Sequence, residues 1–159
     1  MSRPREPSWI AGHQALRKGR VSIAGEIYLL TVTTFRRESL FVDFPKACCM
    51  ARCFEGRLSL GENRLLAWVL MPDHAHWLLQ LGEGERLETS VGRLKALSAR
   101  EFNRLSGRRG PVWASAFHDH ALRNEKDVLP AARYIVANPI RAGMVRRVGD
   151  YPFWDAQWL

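Results

Sequence analysis

Two short apolar runs, NRLLAWVL (63–70) and HAHWLLQL (74–81), are separated by Met71-Pro72-Asp73, and this pattern predicts a β-hairpin, because proline and aspartate are turn formers. The second run alternates. Ala75, Trp77, Leu79 and Leu81 share one face of a strand, and His74, His76, Leu78 and Gln80 share the other. Upstream, IYLLTVTTF (27–35) is rich in β-branched and aromatic residues and reads as a strand, while FPKACCMARCFEG (44–56) has helical spacing that stops at Gly56. Residues 85–106 form the longest helical pattern, with Val91, Leu94, Leu97, Phe102 and Leu105 on one face and Gly107 and Gly110 closing it. PVWASAFHDHALR (111–123) predicts a loop leading into a short strand. KDVLPAARYIVANP (126–139) predicts a helix bounded by Pro139, with Pro130 in its first turn.

The order β-α-β-β-α-β-α, with a hairpin at its centre, points to an α+β fold whose simplest form is a ferredoxin-like antiparallel sheet with helices packed on it. At 159 residues and 47% hydrophobic residues the chain is expected to make one domain, 1–159. Residues 1–25 have little apolar periodicity and read as a basic N-terminal arm. Residues 145–159, ending YPFWDAQWL, read as a tail packed back on the body.

Charge narrows the partners. The 24 Lys and Arg against 16 Asp and Glu give a formal net charge of +8, and arginine dominates the basic set, which favours phosphate oxygens and hence nucleic acid. Arg93, Arg100 and Arg104 fall on one side of the long helix at i, i+7 and i+11. With Lys95, Arg108 and Arg109 they make a basic segment interrupted only by Glu101, the expected DNA-binding surface together with Arg17, Lys18 and Arg20 of the arm. No run approaches the roughly 20 apolar residues of a membrane span, and the N-terminus lacks a signal-peptide core, so a cytoplasmic, nucleoid-associated protein without membrane contact is expected. No obligatory protein partner is evident. Cys48, Cys49 and Cys53 lack the spacing of a zinc site and read as small buried apolar residues.

His74 and His76 stand about 6.6 Å apart along a strand, close enough for both rings to converge on one cation. A pair of hydrogen-bonded structural imidazoles is equally consistent with that spacing. The extra partners of other HxH enzymes are missing: Leu78 and Leu79 occupy the positions an HxHxDH hydrolase needs, and there is no HxE with PCxxC of a zinc deaminase. In RYIVANPIRAGMV, Tyr134 and Asn138 stand at i and i+4 on one helix face. His118, Asp119 and His120 form a second polar cluster, suited to supporting a metal site, contacting DNA or hydrogen-bonding their own loop.

MPDHAH with WLLQL resembles the HUH signature (histidine, apolar residue, histidine) of single-tyrosine transposases. RYIVANPIRAGMV is similar to the tyrosine helix of their REP-associated branch, and GRRGPVW, FHDHALR and YPFWDAQWL match that branch in order and spacing, from about Gly19 to Leu159. Ala75 is smaller than the usual residue between the histidines, and Ala116 stands where a glycine is common. The resemblance implies HUH histidines on a strand and a catalytic tyrosine, Tyr134, on a C-terminal helix. It implies metal-dependent cutting and rejoining of single-stranded or hairpin DNA of the REP type through a 5′-phosphotyrosine. His74, His76 and Asn138 would be the metal ligands, for Mg²⁺ or Mn²⁺, since two imidazoles leave an octahedral ion short of an oxygen donor. A non-catalytic nucleic-acid-binding regulator with the same fold and a zinc-stabilised structural domain are the competing readings.

Overall fold

The computed structural model describes Pro7 and residues 22–158. The expected arm therefore lies almost wholly outside the described residues, including Arg17, Lys18 and Arg20. Five strands form one antiparallel sheet: β1 (Ile27–Thr33), β2 (Arg64–Met71), β3 (His74–Gln80), β4 (His118–Leu122) and β5 (Trp154–Ala156), in the order β4-β1-β3-β2-β5. The first four have the order of a ferredoxin-like sheet, and the tail adds β5 alongside β2. β2 and β3 are the hairpin, joined by Pro72 and Asp73 alone.

Alternation decides which side each residue takes. Trp77 is fully buried and meets Phe54 edge-on, ring centroids 5.2 Å apart; Phe54 belongs to α1 (Phe44–Phe54), which in turn packs on α3 (Leu87–Ser106). Both helices thus cover the Trp77 face. α1 starts where Asp43 caps it, its carboxylate accepting from the Lys46 amide at 3.1 Å. A four-residue helical turn, α2 (Arg57–Leu60), follows and packs on α3.

The histidine face is covered by α4 (Val128–Val136), which lies against β2, β3 and β5 and buries Val128, Ala131, Ala132, Ile135 and Val136. Pro139 does not end the helical path. Ala137 keeps helical angles (φ −82°, ψ −1°) and a second turn, α5 (Asn138–Arg141), begins with Pro139 in its first turn, where a missing N–H is tolerated. The tail is held by more than its strand: the Tyr151 hydroxyl donates to the Leu70 carbonyl, and the Leu70 amide donates to the Phe153 carbonyl at 2.9 Å.

Candidate functional site

Antiparallel register puts directly paired residues on the same side of a sheet. His76 pairs with Thr31 of β1 and Val69 of β2; Thr31 pairs with His118 and Val69 with Trp154. One row across the sheet therefore reads His118, Thr31, His76, Val69, Trp154. His74 sits beside it, between Thr33 and Met71. His118 is two strands from His76, about 10 Å at the usual strand spacing. His120 pairs with Leu29 on the same face, whereas Asp119 pairs with Leu30 on the opposite one and borders a small cavity with Tyr28, Arg86 and Phe117. The cluster His118-Asp119-His120 is thus split by the pleat, and only its histidines share a face with His74 and His76.

Each site histidine has a fixed Nδ1. The His74 Nδ1–H donates to Asp73 Oδ1 at 2.7 Å, and His76 Nδ1 lies 2.9 Å from Thr31 Oγ1. An ionised carboxylate only accepts, so His74 carries a proton on Nδ1. That Nε2 faces the Asn138 side-chain amide, Nδ2 at 3.3 Å. The two rings are 5.0 Å apart and nearly perpendicular. Burial, with lesser contributions from His74, Arg141 and Arg37, pushes His76 down to about 3, so its imidazole is neutral at neutral pH.

These features fit a divalent cation. Two imidazoles with oriented second nitrogens are what a metal needs, and a half-turn of the Asn138 amide brings Oδ1 to the point where Nδ2 now meets His74. Among the described residues no group of three His, Cys, Asp or Glu gathers, so further ligands would be oxygens of water or phosphate.

Asn138 ties the turn that follows the Tyr134 helix to the histidine strand. Tyr134, Asn138 and Arg141 stand at i, i+4 and i+7. The Arg141 guanidinium carbon lies 3.7 Å from the Tyr134 ring centroid, and its Nη1 donates to the Tyr134 carbonyl at 2.6 Å. Arg141 was not singled out in the sequence, although its spacing from Tyr134 was available as a clue. Arg37 is a second such residue: its Nε lies 3.2 Å from Asp73 Oδ2 in an ion pair, and both Arg36 and Arg37 have φ of 56°, the left-handed region that costs a side-chain-bearing residue about 1–2 kcal/mol.

The basic residues of α3 divide into occupied and outward ones. Arg93 donates to the Ser59 and Leu60 carbonyls at 3.1 and 2.8 Å and pairs with Glu85 at 2.9 Å, closing the end of α2. Gly61 permits this, since a Cβ there would collide with both side chains of the pair. Lys95 Nζ donates to the Ala114 carbonyl at 2.5 Å and fixes the 114–116 loop. Arg108 donates to the Pro111 carbonyl at 3.0 Å and approaches Glu38. Periodicity places Arg93 and Lys95 on the helix surface, and Arg108 follows its end, yet the structure brings carbonyls or carboxylates from other segments to all three. Arg100, Arg104 and Arg109 are exposed, Arg104 pairing with Glu101. All lie on the helix layer opposite the histidine face.

Residues 26–137 match the family model described as "Transposase IS200 like". The chain is 34% identical over 87 residues to a REP-associated tyrosine transposase of Escherichia coli (strain K12), covering 55% of this chain and 50% of that protein. It is 33% identical over 98 residues to a putative REP-associated tyrosine transposase of Haemophilus influenzae, covering 55% and 56%. It spans about half the length of the curated relatives it matches. A solved REP-associated tyrosine transposase bound to a REP hairpin superposes with a TM-score of 0.69 and 26% identity, covering 88% of this chain and 82% of that one. No helix among the described residues is long and apolar enough to cross a membrane.

Proposed function

Since the chain belongs to the family of IS200-like transposases, we propose that it cuts and rejoins single-stranded DNA in the cytoplasm, with Tyr134 as nucleophile and REP-type hairpins as substrate. The observation that carries this reading is the 3.3 Å approach of the Asn138 amide to His74 Nε2, which docks the tyrosine helix on the strand that bears both histidines.

In the first step the Tyr134 hydroxyl oxygen attacks phosphorus, its proton passing to solvent. The bond to the 3′ oxygen breaks, and the protein is left esterified to the 5′-phosphate beside a free 3′-hydroxyl. Attack by a 3′-hydroxyl on the same phosphorus reverses the step and reseals a strand, the phenolate leaving. A divalent cation, Mg²⁺ or Mn²⁺, held by His74, His76 and Asn138 would neutralise charge on the non-bridging oxygens. Arg141 holds the Tyr134 ring and carbonyl together, limiting where the hydroxyl can point. The exposed Arg100, Arg104 and Arg109, with Arg17, Lys18 and Arg20, supply phosphate contacts, and His118 extends the polar row beyond Thr31.

The test is a labelled hairpin oligonucleotide carrying a single-stranded flank, incubated with Mn²⁺ and run on a denaturing gel. Wild type should yield a protein–DNA adduct mapping to Tyr134 and a free 3′-hydroxyl. Tyr134→Phe should bind the DNA and form none. An adduct that survives in Tyr134→Phe, or that maps to Tyr28 or Tyr151, overturns the assignment; tight binding with no adduct in wild type favours a non-catalytic regulator.

A further inference from the structure

We propose that Asp73 and Arg37 form an orienting pair for His74, with Asp73 as the positioning residue and Arg37 as the group that holds it. The inference rests on the reading of His74 as a metal ligand. In a Pro-Asp turn an aspartate ordinarily turns its carboxylate onto nearby backbone amides. Here the backbone is secured by another residue: the Thr34 amide donates to the Asp73 carbonyl at 2.9 Å. The carboxylate is thereby free to divide its oxygens, Oδ1 accepting from His74 Nδ1–H at 2.7 Å and Oδ2 forming an ion pair with the Arg37 guanidinium, Nε at 3.2 Å.

Arg37 reaches that oxygen from a turn that its residue type disfavours. Both Arg36 and Arg37 sit at φ 56°, in a 3-10 turn pinned at both ends by the Phe35 amide on the Val112 carbonyl (2.8 Å) and the Thr34 hydroxyl on the Glu38 carbonyl (2.7 Å). Glycine or asparagine would make such a turn with less strain. An arginine there is accounted for by what its guanidinium touches. The two histidines are consequently unlike: His76 leans on a neutral hydroxyl, and His74 on a carboxylate, which fixes its tautomer and the orientation of the Nε2 that faces Asn138.

Two readouts on the full chain test this, neither of them cleavage. Long-range ¹H–¹⁵N correlation without added metal should show His74 protonated on Nδ1 in wild type and a mixture of tautomers in Asp73→Ala. Calorimetric titration with Mn²⁺ should show affinity reduced roughly 10- to 100-fold in Asp73→Ala. Asp73→Asn keeps an acceptor for Nδ1–H and guards against a folding defect in the alanine variant; its loss should be smaller. Arg37→Ala should weaken Mn²⁺ binding, whereas Arg36→Ala, in the same strained turn but not on the carboxylate, should leave it within about twofold of wild type. A retained Nδ1–H tautomer in Asp73→Ala, wild-type Mn²⁺ affinity in that variant, or equal losses in Arg36→Ala and Arg37→Ala would each overturn the proposal. Absence of a Tyr134 adduct with both readouts as expected counts against the nucleophile and leaves the pair standing.

Discussion

Replacing Trp77 with phenylalanine sets two opposing contributions against each other inside the strand that carries the histidines. Trp77 is fully buried, and its indole N–H has no hydrogen-bond partner among the described residues. The substitution removes two ring carbons and that nitrogen. At roughly 0.8 kcal/mol per buried CH₂-sized group, the lost carbons cost about 1.6 kcal/mol. Removing an unsatisfied buried donor returns about 1–3 kcal/mol. The remaining phenyl still faces Phe54 and Trp113, whose ring centroids lie 5.2 and 6.1 Å from the indole. The net change should therefore lie between about 0.6 kcal/mol lost and about 1.4 kcal/mol gained, against about 3–5 kcal/mol lost in Trp77→Ala, which empties the site. Urea unfolding followed by far-UV circular dichroism measures this as a shift of midpoint at constant slope. Because Trp77 points away from His74 and His76, Mn²⁺ affinity should also stay unchanged in Trp77→Phe. A loss above about 3 kcal/mol on Trp→Phe would mean that the N–H is satisfied in solution, and the balance argued here would fail.

Arg141→Met keeps a long side chain but removes the cation from the Tyr134 ring; the rate of adduct formation should fall about tenfold, as loss of roughly 1.4 kcal/mol implies, with DNA affinity held within about threefold. A matching loss of affinity would instead make Arg141 a phosphate contact. Neutralising Arg100, Arg104 and Arg109 together should flatten the plot of log affinity against log salt by about 2 units for single-stranded DNA, and an unchanged slope would return that surface to plain solvation. Burial pushes the Tyr151 phenol up to about 12, so the folded chain keeps a proton that the unfolded chain releases near 10. Its contribution to stability is complete below pH 10 and is lost as pH rises through 10 towards 12; Tyr151→Phe should be flatter with pH across that window in urea unfolding, and parallel curves would refute the assignment.

The sequence was most legible where one period dominates. Strict alternation through Ala75, Trp77 and Leu79 told which face of β3 is core, and therefore that both histidines share the other. Pairing across strands was not legible, because it depends on which segments meet. Thr31 and His118 align with His76 through register alone. β5 was hidden for another reason: three residues inside an aromatic tail carry too little pattern to mark a strand. The rule that a proline bounds a helix misjudged Pro139, which opens a new turn instead of stopping the path. On α3, Arg93 and Lys95 are held by carbonyls at residues 59–60 and 114–116, contacts that no local pattern contains.

The separation of the outward α3 arginines from Tyr134 by the sheet has a geometric consequence for any bound strand. A single strand that touches both layers has to round an edge of the sheet, and on one side that edge is β4, with His118 and His120 on its site-facing side and, among the described residues, no further strand beyond it. Grip and scission would then need different lengths of DNA. A short oligonucleotide covering only the tyrosine side would be cut while weakly held, and progressive trimming from one end should abolish tight binding several nucleotides before it abolishes cutting. A chain that bound DNA in this way would measure its target with the girth of its own sheet.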